Sequence, residues 1–209
     1  MAEELKSKNI SQIVAFALFA SWLRYILRIE VKEAENIYIK KPLIIVSNHR
    51  SKLDPFLIMS ALGWKNFLRA NPWRFPLHKI YAESWWLGPI SRLIGCYKIE
   101  GKGDLNQSLK TTLSVIDQKR SLIFFPEGQV TRKNEKIEPK RGIGYICLKK
   151  NVSILPVKIK PNGFKDNKKA RLWKSKIIIG NIFESHDLQK KNKSQNLHLM
   201  VMERVNKLK

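Results

Sequence analysis

An imidazole and a carboxylate lie five residues apart in the segment Asn48-His49-Arg50-Ser51-Lys52-Leu53-Asp54. A histidine held by a carboxylate is the general-base half of an acyl-transfer site, where it takes the proton of an attacking hydroxyl. On one continuous helix His49 and Asp54 would diverge by about 140°. If the chain turns after a strand and Asp54 begins the next helix, the side chains can meet. Asp54 would then cap that helix, orient His49, or do both. The alternative is a surface histidine and a capping aspartate that never touch.

A second candidate site lies at Phe124-Phe125-Pro126-Glu127-Gly128, which ends a short apolar run. Open α/β sheets place their sites at the carboxyl ends of such strands. In this position Glu127 is predicted to accept a hydrogen bond from a substrate hydroxyl, and Gly128 to allow a close approach of the backbone. Taken alone, Pro-Glu-Gly is also an ordinary turn sequence.

The elements that must position these residues follow from apolar runs and periodicity. Short apolar runs predict strands, and longer amphipathic segments bounded by Pro or Gly predict helices. The predicted strands are residues 43–46, 92–99 (around Cys96), 121–125, 152–159 and 174–179, and the predicted helices are 54–62, 106–118, 144–150 and 197–208. Strands alternating with helices predict an α/β fold, a single domain with a mostly parallel central sheet flanked by helices.

Residues 10–29 contain neither Gly nor Pro and predict a further, N-terminal helix, apolar in its first half and amphipathic in its second. Arg24 and Arg28 fall on one side of it, which favours a helix lying in a membrane interface with arginines toward the headgroups. A buried core helix is the main alternative, and Glu3 and Glu4 argue against a signal peptide. We therefore divide the chain into a membrane-interface helix, residues 1–29, and one further domain, residues 30–209. No run of about 18 apolar residues predicts an ordinary membrane-spanning helix.

The charge balance requires a polyanionic partner or surface. In 209 residues, 40 Lys and Arg oppose 17 Asp and Glu, a net charge of +23. Nucleic acid, anionic lipid headgroups and an acidic carrier protein all satisfy this requirement, and part of the lysine content also fits the drift of an AT-rich genome. The basic residues are densest in residues 165–176 and 190–193 and are not interleaved with the Phe/Tyr pattern of a base-stacking platform. We therefore expect no nucleic acid among the partners.

Cysteine and histidine usage gives no sign of a disulfide framework or of a metal site. The two cysteines, Cys96 and Cys147, lie in apolar surroundings, which favours a reducing, intracellular compartment. The four histidines are scattered along the chain rather than clustered. We therefore expect neither a metal nor another cofactor.

Taken in order, the His49-x4-Asp54 segment and the Phe125-Pro126-Glu127-Gly128 segment resemble motifs of the glycerolipid acyltransferases, the PlsC-like lysophospholipid acyltransferases. Residues 152–157, Val-Ser-Ile-Leu-Pro-Val, look like the last block of that family. Lys140-Arg141-Gly142 matches the basic-Gly step that precedes this block. The resemblance extends over about residues 43–179.

The resemblance implies an O-acyltransferase that moves an acyl group from acyl-CoA or an acyl carrier protein to a lysophospholipid hydroxyl. The first expected acceptor is 1-acyl-glycerol-3-phosphate, which gives phosphatidic acid. His49 would be the general base oriented by Asp54, with Asn48, Glu127 and Gly128 binding substrate. The enzyme would be peripheral or monotopic on the cytoplasmic face of the cell membrane, attracted by anionic lipid. Trp64, Trp73, Trp85 and Trp86 would lie at the membrane boundary or in the core.

The sequence departs from the family pattern in two places. The second block ends in Glu100-Gly101, where the family has the Asp-Arg pair credited with holding the acceptor phosphate, so Lys98 or Lys102 could replace that arginine only in part. The third block continues Gln129-Val130-Thr131-Arg132 rather than Gly-Thr-Arg, which displaces the arginine.

Arg132 and Lys140 are further candidates for holding phosphate. The departures favour one alternative, an acyltransferase of the same fold acting on a glycolipid, an aminolipid or another lipid. A basic, non-catalytic nucleic-acid-binding protein is the alternative from another class.

Overall fold

The computed structural model describes residues 2–32, 37, 39, 41–85, 87–99, 104–132, 135, 137–165, 169–191 and 196–209. Its helices are α1 Ala2–Leu27, α2 Asp54–Ala61, α3 Gly63–Ala70, α4 Lys79–Ala82, α5 Leu87–Leu93, α6 Leu105–Asp117, α7 Gly142–Lys149, α8 Ser185–Lys191 and α9 Leu197–Asn206. Its strands are β1 Glu30–Lys32, β2 Leu43–Ser47, β3 Trp73–His78, β4 Cys96–Ile99, β5 Ser121–Phe124, β6 Ser153–Lys160, β7 Phe164–Lys165, β8 Lys169–Ala170, β9 Lys176–Ile179 and β10 Phe183–Glu184.

The central sheet has the strand order β1-β9-β6-β2-β5-β3-β4, with β10 on β6. The four strands β2, β5, β3 and β4 and the β2–β6 pair are parallel, whereas β9 and β10 run antiparallel to β6. The predicted α/β class with a mostly parallel sheet is confirmed. Because parallel strands end at one edge, the loops after β2, β5 and β6 all meet at that edge.

Helical layers cover both faces of the sheet, which explains the continuous apolar runs of its strands. On β2, Ile45 packs into the cluster shared with α1 and α2, and Ile44 and Val46 pack into the cluster shared with α6, α7 and α9. β2 thus separates two cores, and its one polar residue, Ser47, lies at its end, where the loop begins.

Helix α1 has one side in the core and another side exposed. Phe16 is buried and packs with its ring centroid 5.4 Å from that of Phe67. The buried Gln12 donates from Nε2 to the backbone oxygens of Trp73 and Ile94, at 2.8 and 2.9 Å. The exposed large apolar residues of α1 are Ile10, Val14, Leu18, Phe19, Trp22, Tyr25 and Ile26. The core-helix interpretation therefore holds for one side of α1, and the membrane-interface role of residues 1–29 stays a prediction. Among the described helices, none is long and apolar enough to cross a membrane.

The segment between α2 and β4 contains elements that the sequence did not predict. Gly63, predicted to end a helix, has φ +70° and links α2 directly to α3. The following aromatic and proline-rich stretch forms β3 and the helices α4 and α5. Trp73 is fully buried in β3, whereas Trp64 and Trp85 are 51% and 88% exposed; Trp86 lies outside the described residues. The tryptophans thus divide between core and surface.

Candidate active site

The loop after β2 brings His49 and Asp54 into contact. The chain turns at residues 50–53, and α2 begins at Asp54, whose fully buried Oδ2 lies 2.8 Å from His49 Nδ1. The same oxygen accepts the backbone N–H groups of Arg50 and Ser51, at 2.5 and 2.8 Å. Of the two roles considered for Asp54, the contact with His49 is present. The N-cap role is wrong, because Leu53 occupies that position and no side chain caps α2.

The contact fixes which nitrogen of His49 can act as a base. An ionised carboxylate only accepts hydrogen bonds, so Nδ1 carries the proton and Nε2 keeps its lone pair. The ring stacks on Phe125, with centroids 4.1 Å apart and planes 15° apart, and the side chain is 17% exposed. Within the described part of the chain no protein group pairs with Nε2. Nε2 is therefore the atom left to receive a proton.

Glu127 joins the loop after β5 to the loop of His49. It is buried, and its Oε2 accepts the backbone N–H of His49 at 3.0 Å and the hydroxyl of Thr131. The backbone N–H of Thr131 in turn donates to the carbonyl of His49 at 2.8 Å. Two hydrogen bonds thus hold the backbone of residue 49, and the third, from the hydroxyl of Thr131, holds the carboxylate of Glu127. Oε2 of Glu127 therefore accepts hydrogen bonds from protein groups. The contact of Glu127 with a substrate hydroxyl stays a prediction.

The structure gives the side chain of Asn48 a protein partner on β6, and its predicted binding of substrate stays a prediction. Its buried amide donates from Nδ2 to the carbonyl of Ile159 at 2.9 Å and accepts the N–H of the same residue at 2.8 Å. The side chain therefore imitates a strand and ties the end of β2 to β6. The sequence placed it beside His49 but gave no sign of this partner on another strand.

The backbone amides nearest to His49 are all engaged. Those of residues 49, 50 and 51 donate to Glu127 or Asp54, as described above. None of them is free to stabilise an oxyanion, so donors for such a charge must come from another part of the site.

Gly128, Arg132 and Lys140 lie around the same loop. Gly128 has φ +70°, and a Cβ there would stand 2.9 Å from Lys140 Nζ, so the glycine makes room for the lysine. The backbone N–H of Lys140 donates to the carbonyl of Pro126 at 2.9 Å. Arg132 directly follows Thr131, and its backbone N–H donates to Glu135 at 2.8 Å. Two cations are thus placed on the β5 side of His49.

The family model described as Acyltransferase matches residues 28–160, which include every site residue described above. The chain belongs to the Acyltransferase family.

Named relatives agree with this assignment. A Mycoplasma pneumoniae protein named probable 1-acyl-sn-glycerol-3-phosphate acyltransferase is 28% identical over 83% of this chain and 63% of its own length. A Mycoplasma genitalium protein of the same name is 31% identical over 75% of this chain and 56% of its own length. The chain thus spans less than two thirds of these relatives.

A solved structure confirms the fold. The crystal structure of the 1-acyl-sn-glycerophosphate acyltransferase PlsC from Thermotoga maritima superposes with a TM-score of 0.65, at 20% identity, over 92% of this chain and 76% of that one. At this identity the likeness supports the α/β acyltransferase fold rather than any particular residue's role.

Lys98, the first candidate to replace the missing arginine of the acyltransferase pattern, is not brought to His49. It lies on β4, three strand spacings or about 14 Å from β2. Its Nζ donates to Glu83 at 2.7 Å, and this hydrogen bond lowers the pKa of the glutamate. Both line a cavity of about 430 Å³ beside β4. Lys102 and the Glu100-Gly101 pair lie outside the described residues.

Thr131 and Phe125 hold His49 in place, and neither contact was predicted from the sequence. The sequence clue to Thr131 is the Thr131-Arg132 pair, which matches the family's Thr-Arg but stands two residues later. In the structure this threonine contacts Glu127 and the backbone of His49. Phe125 is part of the recognised motif, but its stacking depends on how β2 and β5 lie side by side.

Proposed function

We propose that this acyltransferase-family chain moves a fatty acyl group from a thioester, acyl-CoA or acyl carrier protein, to the hydroxyl of a lysophospholipid. The first expected acceptor is 1-acyl-glycerol-3-phosphate, with phosphatidic acid as the product. The observation that carries the proposal is the His49 Nδ1–Asp54 Oδ2 contact of 2.8 Å, which leaves Nε2 without a protein partner among the described residues. The names of the two Mycoplasma relatives support the choice of acceptor.

The reaction follows from this geometry. Nε2 of His49 takes the proton of the acceptor hydroxyl as its oxygen attacks the thioester carbonyl carbon. The tetrahedral intermediate collapses, the C–S bond breaks, and the imidazolium returns the proton to the leaving thiolate. The negative charge of Asp54 faces the imidazolium while it exists and keeps its ring oriented.

The acceptor phosphate belongs, in this proposal, on the β5 side of His49. Arg132 and Lys140 lie there, whereas Lys98 is remote from His49 and ion-paired with Glu83. The remoteness of Lys98 also favours the second candidate function, transfer to a different lipid such as a glycolipid or an aminolipid. Both candidates use the same His49 and Asp54.

Because its acceptor is a lipid, the protein must bind a membrane surface, and we assign this contact to α1. Its exposed apolar side chains include Leu18 and Trp22, and Arg24 and Arg28 are exposed near its end. We place this side of α1 on the anionic cytoplasmic face of the cell membrane, where apolar insertion and the net charge of +23 act together.

An acceptor screen tests the function. The purified chain is mixed with labelled acyl-CoA or labelled acyl carrier protein and with one acceptor at a time, and the lipid products are separated. Labelled phosphatidic acid from 1-acyl-glycerol-3-phosphate is expected. A labelled glycolipid or aminolipid in its place would select the second candidate, and no lipid product from any acceptor would refute acyl transfer.

A further inference from the structure

The end of β6 forms the second wall of the His49 loop, on the side away from β5. β2 and β6 are parallel, with Ser47 opposite Val157. Beyond that pair, the amide of Asn48 holds the backbone of Ile159 by two hydrogen bonds. The carboxyl end of β6 is therefore fixed directly beside His49.

Two lysines of β6 and one arginine of the β2 loop gather at this wall. Lys158 and Lys160 are two residues apart on one strand, so they share a face. Nζ of Lys158 is anchored to the C-terminal end of α9, where it donates to the backbone oxygens of Asn206 and, at 2.8 Å, Leu208. Burial lowers the pKa of Lys158, and the positive charges of Lys160 and Arg50 lower it further. Lys160 and Arg50 are thus each within electrostatic reach of Lys158.

No carboxylate balances this group in the part of the chain that the structure describes. The guanidinium of Arg50 and the ammonium of Lys160 have no acidic partner among those residues. The backbone of Arg50 is held by its hydrogen bond to Asp54. These like charges stand on a backbone held by hydrogen bonds, and one of them belongs to the residue next to His49. The positive charges of Arg50 and Lys160 act unfavourably on that of Lys158 unless an anion binds between them.

We propose that Arg50, Lys158 and Lys160 form a phosphate-binding site for the acyl donor. The ligand chemistry is a phosphate group, and either substrate of the proposed reaction carries one. The donor is favoured because the β5 side of His49 already has its own pair of cations, Arg132 and Lys140. Two phosphate-bearing substrates that meet at one Nε2 can then approach from opposite sides. This inference rests on the proposed acyl transfer.

Steady-state kinetics with acyl-CoA and a short-chain, soluble 1-acyl-glycerol-3-phosphate test the assignment. The variants are Arg50→Gln and Lys160→Gln, which leave the structural contacts of Lys158 intact. The matched control is Lys149→Gln. Lys149 is exposed at the end of α7, just before the start of β6, and so lies at the amino end of that strand rather than at its carboxyl end. Each test variant is expected to raise the KM for acyl-CoA about tenfold, as for the loss of one charge-assisted hydrogen bond, with kcat and the acceptor KM nearly unchanged.

The outcomes separate the two sources of phosphate. A raised KM for the acceptor alone would assign the site to the lysophospholipid and overturn the donor assignment, as would unchanged constants for both substrates in an active enzyme.

If the wild-type chain shows no turnover at all, the proposed function fails, and calorimetry with free CoA and with pantetheine, which lacks phosphate, decides the inference separately. Binding of CoA but not pantetheine, weakened about tenfold in both variants, would support the site. Equal CoA binding by wild type and variants, or no CoA binding, would overturn it.

Discussion

The loop of His49 and helix α1 are both held by a buried polar side chain, but over very different distances along the chain. Asp54 accepts hydrogen bonds from residues three to five positions before it. Gln12 donates to Trp73 and Ile94, 61 and 82 residues away. The first arrangement is encoded in one heptapeptide and the second depends on the completed fold. The comparison predicts that damage to Asp54 stops chemistry in a folded protein, whereas damage to Gln12 loosens the fold itself.

The largest effect is expected from Asp54→Asn. The amide oxygen can still accept from the loop, but no charge then faces the imidazolium, so kcat should fall about 10³- to 10⁴-fold. Asp104→Asn, at an exposed position whose side chain makes no cap hydrogen bond, is the matched control. Activity and circular dichroism are measured together. A folded Asp54→Asn protein with more than about a tenth of the wild-type rate would remove the carboxylate from the mechanism.

Glu127→Ala should reduce both activity and stability, because it leaves the backbone N–H of His49 and the hydroxyl of Thr131 without their hydrogen-bond acceptor. We expect a loss of about 1–3 kcal/mol in the free energy of unfolding in urea, and a fall in kcat of about a hundredfold as His49 shifts. Thr131→Val should cost less, and Thr131→Ser, which keeps the hydroxyl, least of all. Equal kinetics for the valine and serine variants would show that the hydroxyl does not position the loop.

Gln12→Leu should destabilise the domain by about 1–3 kcal/mol, since the buried carbonyl of Trp73 and the half-buried carbonyl of Ile94 lose their donor. Two thiols report where the fold opens, because burial raises the pKa of Cys96 and of Cys147 to about 12 and keeps both protonated at pH 8. Cys96 packs against the core that contains α1, and Cys147 lies in the other core. Thiol labelling at pH 8 should therefore accelerate at Cys96 more than at Cys147. Equal acceleration at both would mean that α1 does not open separately.

The smallest effect on stability is expected on the exposed side of α1. Leu18→Ser with Trp22→Ser should change the free energy of unfolding by less than about 0.5 kcal/mol per site. The same pair should weaken sedimentation with anionic liposomes, and high salt should release part of the bound wild-type protein. Unchanged sedimentation of the double variant would move the membrane contact away from α1.

The same contrast explains how much the sequence predicts. Apolar runs predict β2, β5, β6 and β9 because nearly all residues of these strands are buried, so each strand is apolar along its own sequence. β3 was missed because Arg74 and Pro76 interrupt its pattern, and its strand character depends on pairing with β5 and β4. The residues of a segment do not predict which distant strand it will pair with.

The candidate site divides in the same way. The contact of His49 with Asp54 could be predicted because a turn and a helix start bring together residues five apart. The role of Asn48 could not, because its partner Ile159 is 111 residues away and only the β2–β6 pairing makes them neighbours. The two hydrogen bonds that Glu127 accepts likewise require β2 and β5 to lie side by side.

The central claim is that Nε2 of His49 takes the acceptor's proton, and the most direct test is the rate of product formation by His49→Ala. Wild type and variant are compared with the acceptor and donor found active in the screen, and circular dichroism and urea unfolding establish that the variant is folded. We predict a fall in kcat of at least about 10²- to 10⁴-fold, the contribution of a positioned general base. A folded His49→Ala protein that forms product within about twofold of the wild-type rate would contradict the mechanism.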